Sequence, residues 1–407
     1  MSDRLTNWEA WLALREVPEL VAAILSSDES ALRLQGQLRA QYEPQLVRLA
    51  LQLVDCRKRA AARFERSESM WFDRVGLEQA SAEIVSRHKA RRFEGPTWDL
   101  CCGVGGDALA LGERGLVIAI DCDAARAQCC RWNAQTYGVD GNVAVVVADV
   151  GKLGPLDGLV HIDPDQRAGG RKRSHRIEDS EPGRGYLEEL IGRVEGGAIK
   201  LSPAANFLGK FMGCEIELIS VQRECKQVVI WFGGLAGELP PGQANLFRTT
   251  VLPDGATLSG HPLSVPFRLE PIGEFLFDPD PSVVRAGLVD VLAEEQGWWR
   301  LDDREEYLSG KSPAECPMAQ CFRVVSVTTN RVKAIREAAR SAGFGPVEIK
   351  CRHVPVDADK LRKKLKLDGD RPGVILVARI GGRTRAVIAE RRERSVAPGK
   401  ATRVVGQ

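Results

Sequence analysis

Between residues 8 and 92, apolar side chains recur every three or four positions and glycine is scarce, which is the period of helices packed on one face. QLVRLALQLVDCRKRAAARF predicts a helix over 45–64, and GLEQASAEIVSRHKARRF predicts another over 76–93. Gly95-Pro96 stops this pattern. From 97 to about 233 the period changes. TWDLCC, LVIAID, VAVVVAD, GLVHID, GAIKLS and QVVIWFG are short, nearly continuous apolar runs separated by helical segments. Such runs are strands covered on both faces, and their alternation with helices predicts parallel pairing in a doubly wound, Rossmann-like α/β sheet.

A proline-rich passage over 237–267 alternates in the manner of a short hairpin, and 282–296 resumes a helix. The last part reads strand, helix, strand, helix, strand through FRVVSVTT, VKAIREAARSAG, PVEIKCR, DADKLRKKLKL and PGVILVARIG, a smaller α/β domain. The division expected is a helical N-terminal region (1–94), an α/β core (95–265), linker helices with the C-terminal α/β domain (266–390), and a basic, disordered tail (391–407).

Composition narrows the class. The 407 residues are 44% hydrophobic and 28% charged, which suits a soluble chain with sizeable cores. No apolar run reaches the ~20 residues that cross a bilayer, and the acidic, amphipathic start is neither signal nor transit peptide. The eleven cysteines include the adjacent pairs Cys101-Cys102 and Cys129-Cys130 and form no zinc-type spacing. Buried thiols in a reducing cytoplasm, with no metal, are expected. The net charge of +2 hides a segregation: from Phe322 onward there are 21 Lys and Arg against 8 Asp and Glu. A basic module of this kind attracts polyanions by counterion release.

The candidate chemistry begins at DLCCGVGGDALALGERGLVIAIDCD, residues 99–123. A strand ends in Asp99 and leads through Cys101, Gly103, Gly105 and Gly106 into a helix, a turn whose glycines let a ligand approach the backbone. A phosphate loop would carry Gly-Lys-Ser/Thr next, whereas Asp107 stands there, and the dinucleotide pattern G-x-G-x-x-G is not matched. Acids on both sides of the turn suit a cationic ligand such as the sulfonium amino acid S-adenosylmethionine.

DLCCGVGGDALAL, IDCD and RWNAQTYGV together resemble the class I methyltransferase core of the trimethylguanosine-synthase type. VEIKCRHVPVDADKLRKKLKLDGDRPGVILVARIGG is similar to the THUMP-like domain that bacteria attach to such cores. The resemblance implies an S-adenosylmethionine-dependent methyltransferase acting on RNA; a small-molecule methyltransferase and a non-catalytic cofactor-binding RNA adaptor stay open as alternatives. It implies that Asp99 and the backbone at Cys101, Gly103 and Gly105 face the amino-acid end of the cofactor, that Asp121 takes the ribose hydroxyls, and that Asp149 reads the adenine amino group.

The catalytic position falls on HIDPDQRAGGRKRSH, where Asp163-Pro164 fits the Asp/Asn/Ser-Pro-Pro-aromatic motif of base-amino methyltransferases. Asp165-Gln166 replaces its second proline and aromatic, which puts an exocyclic base nitrogen in doubt as acceptor. Arg171 and Arg173 in this loop are expected to clamp phosphates, and Lys350, Arg352, Arg362, Lys363 and Lys366 to form a basic strip for RNA. Lys200, at the end of its strand, could also reach this cleft, though it reads first as a strand terminator, and His161 reads as a packed core residue.

Overall fold

The computed structural model describes residues 6–27, 29–165 and 176–392. It forms two compact units, Met1–Ile216 with Gln227–Asn245, and Glu217–Lys226 with Leu246–Gln407. Among the described residues no helix is long and apolar enough to span a membrane, and no three His, Cys, Asp or Glu gather as a metal site.

The first unit opens with six helices, α1 (Asn7–Arg15), α2 (Pro18–Leu25), α3 (Ala31–Leu38), α4 (Pro44–Ala60), α5 (Arg74–Gln79) and α6 (Glu83–Ala90). Trp11 and Leu14 on one side of α1 are buried, and the Trp11 ring meets Trp71 edge-on at 6.0 Å. Each such side chain contributes roughly 1.5–3 kcal/mol by leaving water. Then follow β1 (Thr97–Leu100), α7 (Gly106–Gly112), β2 (Val117–Asp121), α8 (Ala124–Tyr137), β3 (Val143–Val147), β4 (Leu159–Ile162), α9 (Arg184–Arg193), β5 (Gly196–Leu201), and the hairpin of β6 (Cys214–Val221) and β7 (Glu224–Gly233), whose Glu217–Lys226 stretch belongs to the second unit. The strands of the first unit lie in the order β3-β2-β1-β4-β5-β7, parallel as far as β5. The order reverses at β1, where open α/β sheets bind ligands beyond the strands' C-terminal ends.

The second unit contains β8 (Asn245–Leu252), β9 (Ala256–Gly260), β10 (Phe275–Pro279), α10 (Pro281–Ala286), α11 (Val289–Gln296), β11 (Trp299–Arg300), β12 (Leu308–Gly310), β13 (Ala319–Thr329), α12 (Val332–Ser341), β14 (Phe344–Cys351), α13 (Ala358–Leu365), β15 (Arg371–Ile380) and β16 (Arg383–Arg391). Seven strands run β11-β12-β10-β13-β16-β15-β14. One face packs Ile349, Ile375 and Ile388 against Ile335 of α12 and Leu361 and Leu365 of α13; Leu376, Val387 and Phe322 pack on the other face with Tyr307 and Leu301.

Four local expectations change. The helix foreseen over 76–93 is broken at Ala80-Ser81-Ala82, where Ser81 turns its hydroxyl onto Asp107. The helix over 282–296 breaks at Gly287, which takes a left-handed φ of 72° and caps α10. β6 was not foreseen, and β7 runs antiparallel to β5, because the tight Gln222-Arg223 turn, with φ of 51° and 62°, makes a hairpin where a crossover would be needed for parallel pairing. β16, also unforeseen, runs through Arg391 and pairs antiparallel with both β13 and β15.

Candidate active site

The glycine turn owes its shape to three left-handed residues, Cys101 (φ 60°), Gly103 (φ 56°) and Gly105 (φ 92°). At Gly105 a Cβ would sit 2.7 Å from the Cys130 sulfur, so only glycine fits; at Gly103 the same position meets nothing within 4 Å, leaving open space beside the backbone. Asp121, at the end of β2, fastens the turn from the next strand. Its Oδ2 accepts the Gly103 amide at 2.8 Å and its Oδ1 accepts the Asp123 amide at 2.8 Å. Burial raises the Asp121 carboxyl above its ordinary value, against the pull of those amides toward the charged form. Each oxygen keeps a lone pair for a further donor. Asp123 is occupied otherwise, capping α8 through the amides of Ala125 and Arg126. Asp149, just beyond β3, is half exposed; Lys152 at 3.1 Å and the Gly151 amide hold its carboxyl below the usual range.

Beneath the turn lies a buried polar chain. Asp99 on β1 is level with His161 on β4, and its Oδ1 meets His161 Nδ1 at 2.7 Å. His161 Nε2 meets the Lys89 ammonium at 3.1 Å, and Lys89 in turn reaches Asp107 Oδ1 at 2.7 Å. An ammonium can only donate, so Nε2 accepts and Nδ1–H donates to Asp99, which assigns the neutral tautomer to His161. Lys89, Asp99 and His161 are each 1% exposed. Ser81 donates to Asp107 Oδ2 at 2.7 Å, and Gln227 donates to Ser81 at 2.6 Å. Burial drives the Asp107 carboxyl upward, yet the Lys89 ammonium beside it and the nearby charge of Lys200 outweigh that and hold the group far below the usual range. Asp99 moves the other way: burial outweighs the His161 bond and raises it. Its Oδ2 is buried without a hydrogen-bond partner among the described residues.

These features fit S-adenosylmethionine. The orphaned Asp99 oxygen offers negative charge to an ammonium, the open space at Gly103 admits a ligand, and the Asp121 carboxylate has lone pairs for a diol. Only one of the Asp99 oxygens is uncommitted among the described residues, since the other meets His161.

Asp163 follows β4 directly. Its amide donates to Leu100 O at 3.1 Å, which fixes it beside the glycine turn. Lys200, at 2.5 Å from Asp163 Oδ2, projects from the neighbouring β5 and also donates to Gln79 O at 2.7 Å. Of the two expectations for Lys200, the structure brings it to Asp163 rather than leaving it only as a strand terminator. Its signal was a cation inside a strand whose six residues are all buried. Pro164 is buried, and Asp165 is held by Gln79 Nε2 at 2.8 Å and by main-chain bonds to Glu181 at 2.8 and 2.9 Å. The α5–α6 segment is itself tied down, because Arg63 donates to the carbonyls of Leu77 and Ala80. The N-terminal helices thus brace the site. Arg171 and Arg173 lie outside the described residues.

The basic strip expected in the second unit is two separate features. Lys350 lies 3.0 Å from Asp278 Oδ2, and Arg352 grips Asp278 Oδ1 at 2.7 Å; Asp278 is 3% exposed. Alternation along β14 sends Ile349 and Cys351 toward α13 and Lys350 to the opposite face. Arg362, Lys363 and Lys366 are exposed, but Lys366 lies beyond the end of α13 with φ 47°, and Arg362 pairs with Asp359 at 2.7 Å.

A model of RNA cap guanine-N2 methyltransferases matches residues 96–178, and a model of THUMP-like domains matches residues 319–391. The chain is 33% identical over 321 residues to an uncharacterised S-adenosylmethionine-dependent methyltransferase of Mycobacterium tuberculosis, present in strains CDC 1551 and H37Rv. That alignment spans 77% of this chain and 86% of the relative. Among solved structures, a candidate methyltransferase of Porphyromonas gingivalis W83 shares the fold, with a TM-score of 0.74 over 96% of this chain and 100% of its own, at 16% identity.

Proposed function

The chain belongs to the S-adenosylmethionine-dependent methyltransferases, and from that premise we propose that it methylates RNA, with Asp163 and Pro164 presenting the acceptor to the methyl donor. The observation that carries the reading is the Asp163 carboxylate, 25% exposed and bonded through its own amide to the strand that enters the glycine turn. S-adenosylmethionine supplies an electrophilic methyl group on a sulfonium. Asp121 takes the ribose hydroxyls as a charged acceptor, the buried Asp99 faces the ammonium, and the backbone at Cys101, Gly103 and Gly105 leaves room for the amino-acid portion. Asp149 accepts from the adenine amino group at the end of β3. Asp163 accepts a hydrogen bond from the acceptor and holds it in line, and alignment of two bound reactants supplies a large part of such a rate enhancement.

RNA as substrate is supported by the kinds of family model matched over residues 96–178 and 319–391 and by the cationic C-terminal part. Arg362 and Lys363 contact backbone phosphates from the exposed side of α13, with Lys366 just beyond its end, and Arg171 and Arg173 take further phosphates. Lys350 and Arg352, committed to Asp278, shape the surface and lend it charge. Incubation with tritiated S-adenosylmethionine and total RNA from a strain lacking the gene tests this: nuclease-sensitive label in RNA supports it, and label confined to small molecules refutes it.

A further inference from the structure

The Asp163 carboxylate does not stand alone, and its surroundings bear on how an acceptor is aligned without a stacking aromatic. The run from Gln166 to His175 contains no Phe, Tyr or Trp. Orientation must then come from polar groups held rigidly in place.

We propose that Lys200 is a positioning residue for methyl transfer, anchoring the Asp163 carboxylate in the orientation that meets the acceptor. The inference rests on the reading of Asp163 given above. Lys200 reaches the site from a fully buried strand, and an ammonium brought there is tolerated only where its charge and donors are matched. Asp163 Oδ2 at 2.5 Å and Gln79 O at 2.7 Å match two of them. Because one partner is main chain, and that main chain is pinned by Arg63 through Leu77 O at 2.7 Å, the ammonium cannot follow Asp163 into another rotamer. The carboxylate is tethered to a fixed point. Its Oδ1 makes no hydrogen bond to the described residues, while the side chain keeps 25% exposure. One oxygen is anchored and one is offered.

The segment is fixed at its other end as well. Gln79 receives Lys200 on its carbonyl and donates its amide to Asp165 Oδ1 at 2.8 Å, so one residue of the N-terminal region clamps both sides of Asp163-Pro164-Asp165. The charged groups facing this pair are Lys89 from α6, Asp107 from α7 and Asp165 from its own segment, with the Cys101 thiol on the turn. Lys89 is engaged by Asp107 and His161, so neither competes for Asp163.

Misplacing a reacting group by about 1 Å lowers a rate on the order of 100-fold, which sets the expected effect. Lys200→Met should lower kcat for transfer to RNA from a gene-deleted strain by about that factor, with the affinity for S-adenosylhomocysteine by calorimetry and the KM for RNA unchanged. Lys200→Arg, which keeps a cationic donor, should recover at least a tenth of the wild-type rate. A crystal structure of the Lys200→Met protein with S-adenosylhomocysteine should show Asp163 in a different rotamer, a readout independent of any acceptor. An unmoved Asp163, or a Lys200→Met rate within twofold of wild type while Asp163→Ala is inactive, overturns the role of Lys200 alone. A fully active Asp163→Ala protein overturns instead the reading beneath it.

Discussion

Lys89 and Asp107 form an ion pair 2.7 Å long with 1% and 7% of their surfaces exposed, Asp107 following at once on the glycine turn between β1 and α7. One end belongs to α6 of the N-terminal helices and the other to the first turn of α7. The pair therefore joins the N-terminal helices to the glycine turn, and His161 extends the connection to Asp99.

Removing one partner of such a pair leaves an uncompensated buried charge, which typically costs 3–5 kcal/mol. Lys89→Met should destabilise the first unit by about that amount in urea denaturation, and Lys89→Met with Asp107→Leu should recover most of the loss. A single variant within about 1 kcal/mol of wild type would mean that water or a rearranged side chain satisfies Asp107.

The acid limb of stability carries the same signature. The Asp107 carboxyl is lowered from 3.8 in the folded state, so the unfolded chain takes up the proton first. Its contribution is complete above that value and is lost as pH falls below it, by at most about 1.4 kcal/mol per pH unit. Asp99 is raised, so its contribution is complete at low pH and is lost as pH rises through its folded value. Asp107→Asn should therefore flatten the fall in stability between pH 5 and pH 3 measured by denaturation. Equal slopes in both proteins would remove Asp107 from this role.

For the cofactor, Asp121→Ala should weaken S-adenosylmethionine binding by roughly 10- to 100-fold, the worth of a charge-assisted hydrogen-bond pair. Calorimetry on the folded variant checks it, and an unchanged affinity would take Asp121 out of the ribose site. Asp123 makes a poor substitute, since its carboxylate already caps α8.

How far the sequence could be read follows from what kind of order each residue depends on. β1 to β5 are legible because strands covered on both faces become apolar runs, and the place of Asp121 at the end of β2 is legible because an acid closes such a run. Lys89 was not. RHKARRF reads as a solvated charged stretch, and its middle cation is buried only because Asp107 and His161 wait 18 and 72 residues further on. Lys200, His161 and Asp99 share one detectable mark, a polar residue interrupting a buried strand. The strip containing Lys350 and Arg352 divides for the converse reason: both residues point to the face of β14 away from α13, where Asp278, 72 residues before Lys350, holds them.

RNA binding should depend on salt through α13. Replacing Arg362, Lys363 and Lys366 by Ala should reduce the slope of log K against log salt by about 2 to 3, close to 0.7–0.9 per lost phosphate contact. Lys350→Ala should leave the slope nearly unchanged and alter stability instead. Anisotropy across a salt series separates the two, and an unchanged slope in the triple variant would make α13 a solvated face.

The central claim is that Asp163 acts on an RNA acceptor beside a separately built cofactor site. The most direct measurement is single-turnover transfer of tritiated methyl to RNA by wild type and Asp163→Ala, with cofactor affinity measured on the same samples. RNA label is expected from the wild type, with a loss of at least about 100-fold in the variant and equal affinity for S-adenosylmethionine. Wild-type transfer by Asp163→Ala would contradict it.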